Sequence, residues 1–260
     1  MNVSIVLITW NMGAMLEALL ESIIKFTIAV TYEIIVIDNG SADNTITIIE
    51  SKFPQIKLIK NAVNKGVAPA RNQGLKIAQG KYIAILDADM LIEEDVLSTL
   101  FNYMEINPSV GLTGAKLIGD DRQLQFTCKR YPTPLALFAR RLESIEWVKN
   151  SHVLQNHIMK EWDHSTVAEV DYVIGACQFF RRDLIDLIGY YDEEIFYGPE
   201  DLDYCIRVWR AGYKVTYNPN TFIIHLEQRI TKKNIFSLIS MKHILGIFYI
   251  FRKYNGRLSR

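Results

Sequence analysis

The sequence predicts an α/β fold built on a doubly wound, mostly parallel central sheet flanked by helices. Three observations carry this. Apolar runs of strand length alternate with helical periodicity four times over about the first hundred residues. The runs are nearly continuous in Val, Ile and Leu, as strands covered on both faces are. Three of them end in polar residues, Thr9, Asp38 and Asp87, at the carboxyl ends where such sheets bind ligands.

Each element follows from local pattern. Val3 to Thr9 is a buried strand closed by the turn Trp10-Asn11-Met12-Gly13, and Ala14 to Phe26 then carries helical spacing. Glu33 to Ile37 is the second strand, and Asp43 to Phe53 a helix. Ile56 to Lys60 is a short third strand, and Gly66 to Gln79 an Ala-rich helix that Gly80 should stop as its C′ residue. Tyr82 to Asp89, an apolar run ending in acids, is the fourth strand. A helix from Glu93 to Ile106 follows, with Glu93, Glu94 and Asp95 complementing its N-terminal dipole. Val110 to Leu117 is a further strand, residues 128–168 show no clean period, and Val170 to Phe180 reads as one strand-like run. Arg182 to Ile188 and Pro199 to Ala211 read as helices closed by Gly189 and Gly212. Tyr213 to Tyr217 and Thr221 to Ile224 read as two late strands, the second running into His225.

The 260 residues suffice for one domain of this kind: residues 1–230, split at 109/110 into two halves, with a C-terminal segment over 231–260. Net charge is zero but uneven. From Thr231 onward there are seven Lys/Arg and no acid, so the tail carries +7 against −7 before it. Its apolar content favours an anionic membrane surface over nucleic acid as partner. Lys242 and His243 near the middle of the apolar stretch 234–251 argue against a span. A helix lying on the inner leaflet, or packed on the domain or on another subunit of a homodimer, remain the two readings. Three scattered cysteines give no disulfide or metal framework and fit a reducing cytoplasm. Val3 to Thr9 is too short and lacks the basic start of a signal peptide.

The chemistry sits in acids. In an extended chain Asp87 and Asp89 share one side of the strand. They either stand solvated or cap the next helix, or they hold a divalent cation with phosphate oxygens. Phe196 to Asp203 brings Glu200, Asp201 and Asp203 to a helix start. Asp201 and Asp203 lie about 200° apart around a helix, so they cannot face one site. Asp203 has Arg207 four residues on as a partner. Glu200 and Asp201 are left to face a cleft, where an aspartate can act as general base. His225 is a hydrogen-bonded core residue or a third metal ligand.

Together these motifs resemble the family-2 glycosyltransferases of GT-A fold, over roughly Val3 to His225. The likeness rests on Ile-Thr-Trp-Asn (8–11), Val-Ile-Asp-Asn-Gly-Ser (36–41) and Asn-Lys-Gly-Val-Ala-Pro-Ala-Arg-Asn-Gln-Gly (64–74). It extends to Leu-Asp-Ala-Asp (86–89), Val-Ile-Gly-Ala-Cys (173–177) and Tyr-Gly-Pro-Glu-Asp-Leu-Asp-Tyr-Cys-Ile-Arg (197–207). Lys-Arg-Tyr-Pro-Thr-Pro (129–134) and Arg140-Arg141 resemble bacterial members that build surface polysaccharides, rhamnosyltransferase-like ones included. Trp10 departs from the usual residue of the family at its place.

The resemblance implies an inverting transfer of a sugar from a UDP- or dTDP-type nucleoside-diphosphate sugar to a hydroxyl of a glycan or lipid-linked glycan. It implies Thr9 and Asp38 at the nucleotide base, Arg71 near base or phosphate, Asp87 at the ribose, and Asp89 with His225 at a Mn²⁺ or Mg²⁺ ion. It puts Gly175, Ala176 and Glu200 on the acceptor side and makes Asp201 the catalytic base. A sugar-1-phosphate nucleotidyltransferase should show a Gly-rich loop after the first strand, where only Gly13 stands, and the same absence of G-x-G-x-x-G argues against a dinucleotide oxidoreductase. A non-catalytic metal- or nucleotide-binding module explains Asp38 and Asp87 but not Glu200-Asp201.

Overall fold

A computed structural model of the chain describes residues 1–142, 145–226 and 238–259. Parallel strands β1 (Val3–Thr9), β2 (Tyr32–Asp38), β3 (Lys57–Lys60) and β4 (Tyr82–Asp87) form one half of the main sheet, in the order β3-β2-β1-β4. The helices between them are α1 (Gly13–Phe26), α2 (Thr45–Lys52) and α3 (Val67–Ile77). Beyond β4 the sheet continues through β11 (Cys177–Arg181), β6 (Val110–Ile118), β12 (Lys214–His225) and β5 (Met90–Leu91). Here β11 runs antiparallel to both neighbours, while β6 and β12 are parallel to each other.

The strand period decides which side chains meet which helices. Val3, Ile5 and Leu7 of β1 pack with Leu16, Leu19, Leu20 and Ile23, the buried stripe of α1. Val6 points the other way, to the layer of α3 and α9 (Glu200–Arg210). In β4, Tyr82, Ala84 and Leu86 face the α1 side, and Ile83 and Ile85 face α3 and α9. Asp87 continues the second set, and this parity delivers its carboxylate to α3 rather than to α1.

Several boundaries differ from the sequence reading, each for a local reason. The fourth helix, α4 (Val96–Ile106), begins after the acids, not among them. Asp95 is its N-cap and accepts from the Ser98 N–H; Glu93 pairs with Arg122, and Glu94 accepts from Thr221 Oγ1 and the Phe222 N–H. Gly80 does not end α3, whose C-cap is Ala78. A Cβ at position 80 would stand 2.4 Å from the Ser4 nitrogen, so the glycine lets the chain pass close to β1. The run 170–180 is broken: β10 (Tyr172–Val173) pairs with β8 (Cys128–Lys129) in a separate ribbon, and Ile174-Gly175-Ala176 bridges to β11. The two late strands are one, β12, with a register shift between Asn218 and Phe222.

The stretch without period, 128–168, contains three short helices: α5 (Pro134–Arg141), α6 (Glu146–Lys149) and α7 (His152–His157). Thr133 and Ser151 cap the first and third. Two short strands, β7 (Leu124–Gln125) and β9 (Ala168–Glu169), pair with β6 and β12, and α8 (Leu184–Ile188) precedes α9.

The described part of the tail is α10 (Leu238–Lys253), and it packs on the domain. Tyr254 Oη donates to Asp203 Oδ1 at 2.7 Å, Tyr249 Oη donates to Asp192, and Lys253 bridges Asp192 and Asp203. Gly246 lies against Gly198 and Pro199, where a Cβ would be 3.0 Å from Pro199 Cδ. Its outer face keeps Met241, Leu245 and Phe248 exposed, at the spacing of one helical stripe. Among the described residues no helix is long and apolar enough to cross a membrane. The basic residues Lys232 and Lys233 lie outside the described residues.

Candidate active site

At the carboxyl ends of β1, β2 and β4 the chain leaves a cavity of about 430 Å³, a size suited to a small-molecule ligand. Thr9, Arg71, Asp87, Asp89, Gly175, Ala176, Glu200, Asp201 and His225 all line it. Asp38 does not. It stands opposite Thr9 in the β1–β2 register, fully buried, with Oδ1 accepting from the N–H groups of Gly40 and Ser41 and Oδ2 without a partner. The Thr9 hydroxyl is likewise buried and unpartnered. Of these two orphaned oxygens the one on Thr9 belongs to a lining residue and is the atom a bound polar group would satisfy.

The loop behind Asp38 is braced by a residue the sequence reading passed over. Asn39 lines the cavity and ties together Asn61, Asn64, Lys65 and Gly66 through its amide. The signal was present as three asparagines at loop positions, but their pairing is a tertiary fact. Gly66, at φ +94°, then lets α3 begin against the Phe196 carbonyl, which accepts from the Val67 N–H at 2.7 Å. One turn later α3 carries Arg71 under the cavity floor.

Arg71 is 2 % exposed and holds three groups at once. Nη1 donates to Glu200 Oε1 at 3.0 Å, and Nη2 donates to Asp87 Oδ1 at 3.3 Å and to the Gly175 carbonyl at 2.8 Å. Burial opposes the guanidinium charge, but Glu200 and Asp87 more than restore it and leave its pKa above the ordinary value. Glu200 is buried with Oε2 unpartnered. Burial raises its pKa to about 7, Arg71 working against the rise and Asp201 adding to it. Asp87 opens into the cavity with 41 % of its side chain accessible, yet lies deep in the protein body. That depth raises its pKa, against the pull of Arg71 and with the push of Asp89.

Asp89 does not lie on an extended chain. β4 ends at Asp87, and residues 88–89 turn before β5. The turn still brings the carboxylates together: ligand atoms of Asp87, Asp89 and His225 lie within 4.8 Å of one another. His225 reaches this point because β12 pairs with β5, His225 opposite Met90. Its Nε2 is 3.5 Å from Asp89 Oδ1. Its Nδ1 donates to Gln125 Oε1 at 2.7 Å, and Gln125 returns a bond from its amide to the His225 carbonyl. With the proton on Nδ1, as this network assigns it, Nε2 keeps a lone pair toward the two carboxylates. Two carboxylates and an imidazole nitrogen so disposed suit a divalent cation. Gln125 went unnoticed in the sequence, where nothing local connects it to His225.

Across the cavity Asp201 stands at the first turn of α9. Its Oδ2 accepts from the Gly175 N–H at 2.9 Å and its Oδ1 from the Leu202 N–H at 2.7 Å. Asp203, two residues on, faces away and binds Arg207, Lys253 and Tyr254, as helical geometry requires. Gly175 is pinned between Asp201 and Arg71; a Cβ there would come within 2.6 Å of Arg71 Nη1. The backbone peptide of residue 175 therefore joins the two ends of the site.

A twisted sheet with carboxylates at the strand ends, an antiparallel β11 set beside β4, and an acid-bearing helix across the cleft make the fold that of the GT-A glycosyltransferases. It superposes on the structure titled GalNAc-T7 with UDP, GalNAc and Mn²⁺ with a TM-score of 0.65, at 18 % identity, over 86 % of this chain and 43 % of that one. The family model described as glycosyl transferase family 2 matches residues 4–189, and the chain belongs to that family. Among curated relatives, the poly-β-1,6-N-acetyl-D-glucosamine synthase of Staphylococcus epidermidis is 24 % identical over 221 residues, covering 84 % of this chain and 48 % of the relative. The chain thus spans about half the length of that relative. An N-acetylglucosaminyl-diphospho-decaprenol L-rhamnosyltransferase of Mycobacterium tuberculosis is 21 % identical over 265 residues, covering 97 % of this chain and 85 % of the relative.

Proposed function

We propose that this chain catalyses an inverting transfer of a hexosyl or deoxyhexosyl group from a UDP- or dTDP-type sugar to a hydroxyl of a glycan or lipid-linked glycan. One observation carries the reading: a single cavity has a cation-competent trio, Asp87, Asp89 and His225, on one side and a rigidly held carboxylate, Asp201, on the other. The activities for which the two relatives are named, a polysaccharide synthase and a rhamnosyltransferase, support a sugar donor and a glycan acceptor. Residues 1–109 form the nucleotide half and 110–230 the acceptor half, with 231–260 appended.

In this reading Thr9 and Asp38 hold the base, Thr9 at the cavity wall and Asp38 from behind it through the Gly40-Ser41 turn, and Asp87 meets the ribose. Arg71 serves the nucleotide through Asp87, because both of its terminal nitrogens already donate to protein oxygens, while Nε stays buried without a partner. A Mn²⁺ or Mg²⁺ ion held by Asp89 and His225 would neutralise the charge that builds on the departing diphosphate. Gly175 and Ala176 line the acceptor side, and the missing side chain at 175 leaves the space that the Arg71 guanidinium occupies. Two backbone N–H groups fix Asp201, and its remaining lone pairs are free to take the acceptor hydroxyl proton as the oxygen attacks the anomeric carbon. The transition state is oxocarbenium-like, as in glycoside chemistry generally.

The test is product analysis and binding together. Incubation with UDP- and dTDP-sugars should release nucleoside diphosphate, and pyrophosphate release would instead indicate nucleotidyl transfer. Asp201→Asn should lower turnover by about 10²–10⁴ with donor affinity retained. Asp89→Asn should weaken metal-dependent binding of the nucleoside diphosphate. Full turnover in the first variant, or unchanged binding in the second, removes the corresponding role.

A further inference from the structure

The wall of the cavity on the Asp201 side contains charges that the proposed transfer does not use. Lys129 of β8 and Arg140 of α5 both line it. Lys129 is 8 % exposed and Arg140 half-buried, and no carboxylate partners Arg140 among the described residues. Tyr172, which pairs with Lys129 across the ribbon, stands near both Arg140 and Asp201. His157 lies beside the two cations, buried, with both ring nitrogens unpartnered. Burial first, then Arg140 and Lys129, hold its pKa down at about 3. A partly dry guanidinium at a cavity wall is costly unless a ligand brings the anion, and a guanidinium fork matches phosphate oxygens two at a time.

Beside the cations the wall turns apolar. Leu137 of α5 and Ile247, Ile250 and Phe251 of α10 line the same cavity. Outside it, the same two helices keep Leu135 and Phe138, and Met241, Leu245 and Phe248, between 54 % and 68 % exposed. A free glycan has no use for such a surface, whereas an acyl or isoprenoid chain does.

We propose that the acceptor is a sugar joined through phosphate to a lipid, its phosphate held by Arg140 and Lys129 and its apolar chain laid along Leu137, Ile247, Ile250 and Phe251. The chain leaves past the exposed apolar residues of α5 and α10. This rests on Asp201 marking the acceptor side, and it chooses the lipid-linked acceptor over the free glycan.

Farnesyl diphosphate below its micellar concentration is the probe, with inorganic diphosphate as the lipid-free comparison, both titrated into the full chain in EDTA. Farnesyl diphosphate should bind about tenfold or more tighter than inorganic diphosphate. Arg140→Gln should weaken it about ten- to a hundredfold, with Arg140→Lys recovering part of the loss. Leu137→Ser should shrink the preference for the farnesyl compound without affecting inorganic diphosphate. Asp89→Asn should bind the probe no worse than the unsubstituted chain. Equal affinity for the two diphosphates, or undiminished binding in folded Arg140→Gln, overturns the proposal. So does loss in Asp89→Asn with retention in Arg140→Gln, because the probe then sits among the donor-side acids. Nucleoside-diphosphate binding with Mn²⁺, measured on the same variants, reports the transferase reading separately: either can fail with the other intact.

Discussion

Replacing Arg71 with methionine tests whether the floor of the site is held by charge or by packing. The substitution keeps much of the side-chain volume but deletes three hydrogen bonds, to Glu200, Asp87 and the Gly175 carbonyl. Breaking a buried pair on one side costs about 3–5 kcal/mol when the orphaned charge stays charged. Glu200 has an escape, because its pKa already stands at about 7 and Arg71 is what restrains it. Without Arg71 the carboxyl titrates higher still. A raised folded pKa gives stability that is present below the unfolded value near 4.5 and lost as pH rises through the folded one. The unsubstituted chain completes that loss near pH 7, while the variant goes on losing about 1.4 kcal/mol per pH unit above it. At pH 6 the variant should therefore be about 1–2 kcal/mol less stable, from lost hydrogen bonds alone. At pH 8.5 the gap should widen to about 3–4 kcal/mol. Urea unfolding followed by far-UV circular dichroism at the two pH values measures both. Adding Glu200→Gln should abolish most of the pH dependence. A gap that is the same at pH 6 and 8.5, or that never exceeds about 1 kcal/mol, would refute the electrostatic account of the floor.

Other perturbations test the remaining parts. His157 folds neutral with a pKa of about 3, so its contribution is fully present above pH 6.5 and falls by about 1.4 kcal/mol per unit below it; His157→Phe should lose less stability than the unsubstituted chain between pH 7.5 and pH 5, read from urea midpoints. Gln125→Leu removes the group that fixes the His225 tautomer and should weaken Mn²⁺ binding about 10–100-fold by calorimetry; unchanged affinity would show that His225 needs no support. Tyr254→Phe deletes the 2.7 Å bond to buried Asp203 and should cost about 1–3 kcal/mol in urea unfolding. Gly66→Ala forces a Cβ to 2.6 Å from the Phe196 carbonyl at φ +94°, so its melting temperature should fall by several degrees, about 1–2 kcal/mol for the backbone alone.

What could be read from the chain alone followed the physics of buried strands. Val3 to Thr9, Glu33 to Ile37 and Tyr82 to Asp89 announced themselves because both faces are covered, and the polar ends at Thr9 and Asp87 located the cavity, although the last of these strands stops at Asp87. The opposition of Asp201 and Asp203 was legible because helix geometry is local. The three helices between 134 and 157 were not, because each is a turn or two long and leans on a cap and a neighbour rather than on a period. The break at Gly175 was hidden in an apolar run, since what interrupts the strand is the guanidinium packed against it. Gly80 looked like a helix stop and serves β1 instead, a distinction only the Ser4 backbone makes. Of the two readings of the tail, packing on the domain holds for residues 238–253, by contacts with Asp192, Asp203 and Gly198 that no sequence spacing reveals.

The peptide at residue 175 has a consequence for how this protein tolerates change. Its N–H goes to Asp201 and its carbonyl to Arg71, which in turn grips Glu200 and Asp87. Five positions from four separate parts of the chain share one set of bonds, so their substitutions will not add. Double-mutant cycles among them should return interaction energies of about 0.5–3 kcal/mol. Drift at this locus is then a collective affair: a lineage that alters one member is driven to exchange its companions, and single replacements sample only the damaged intermediates.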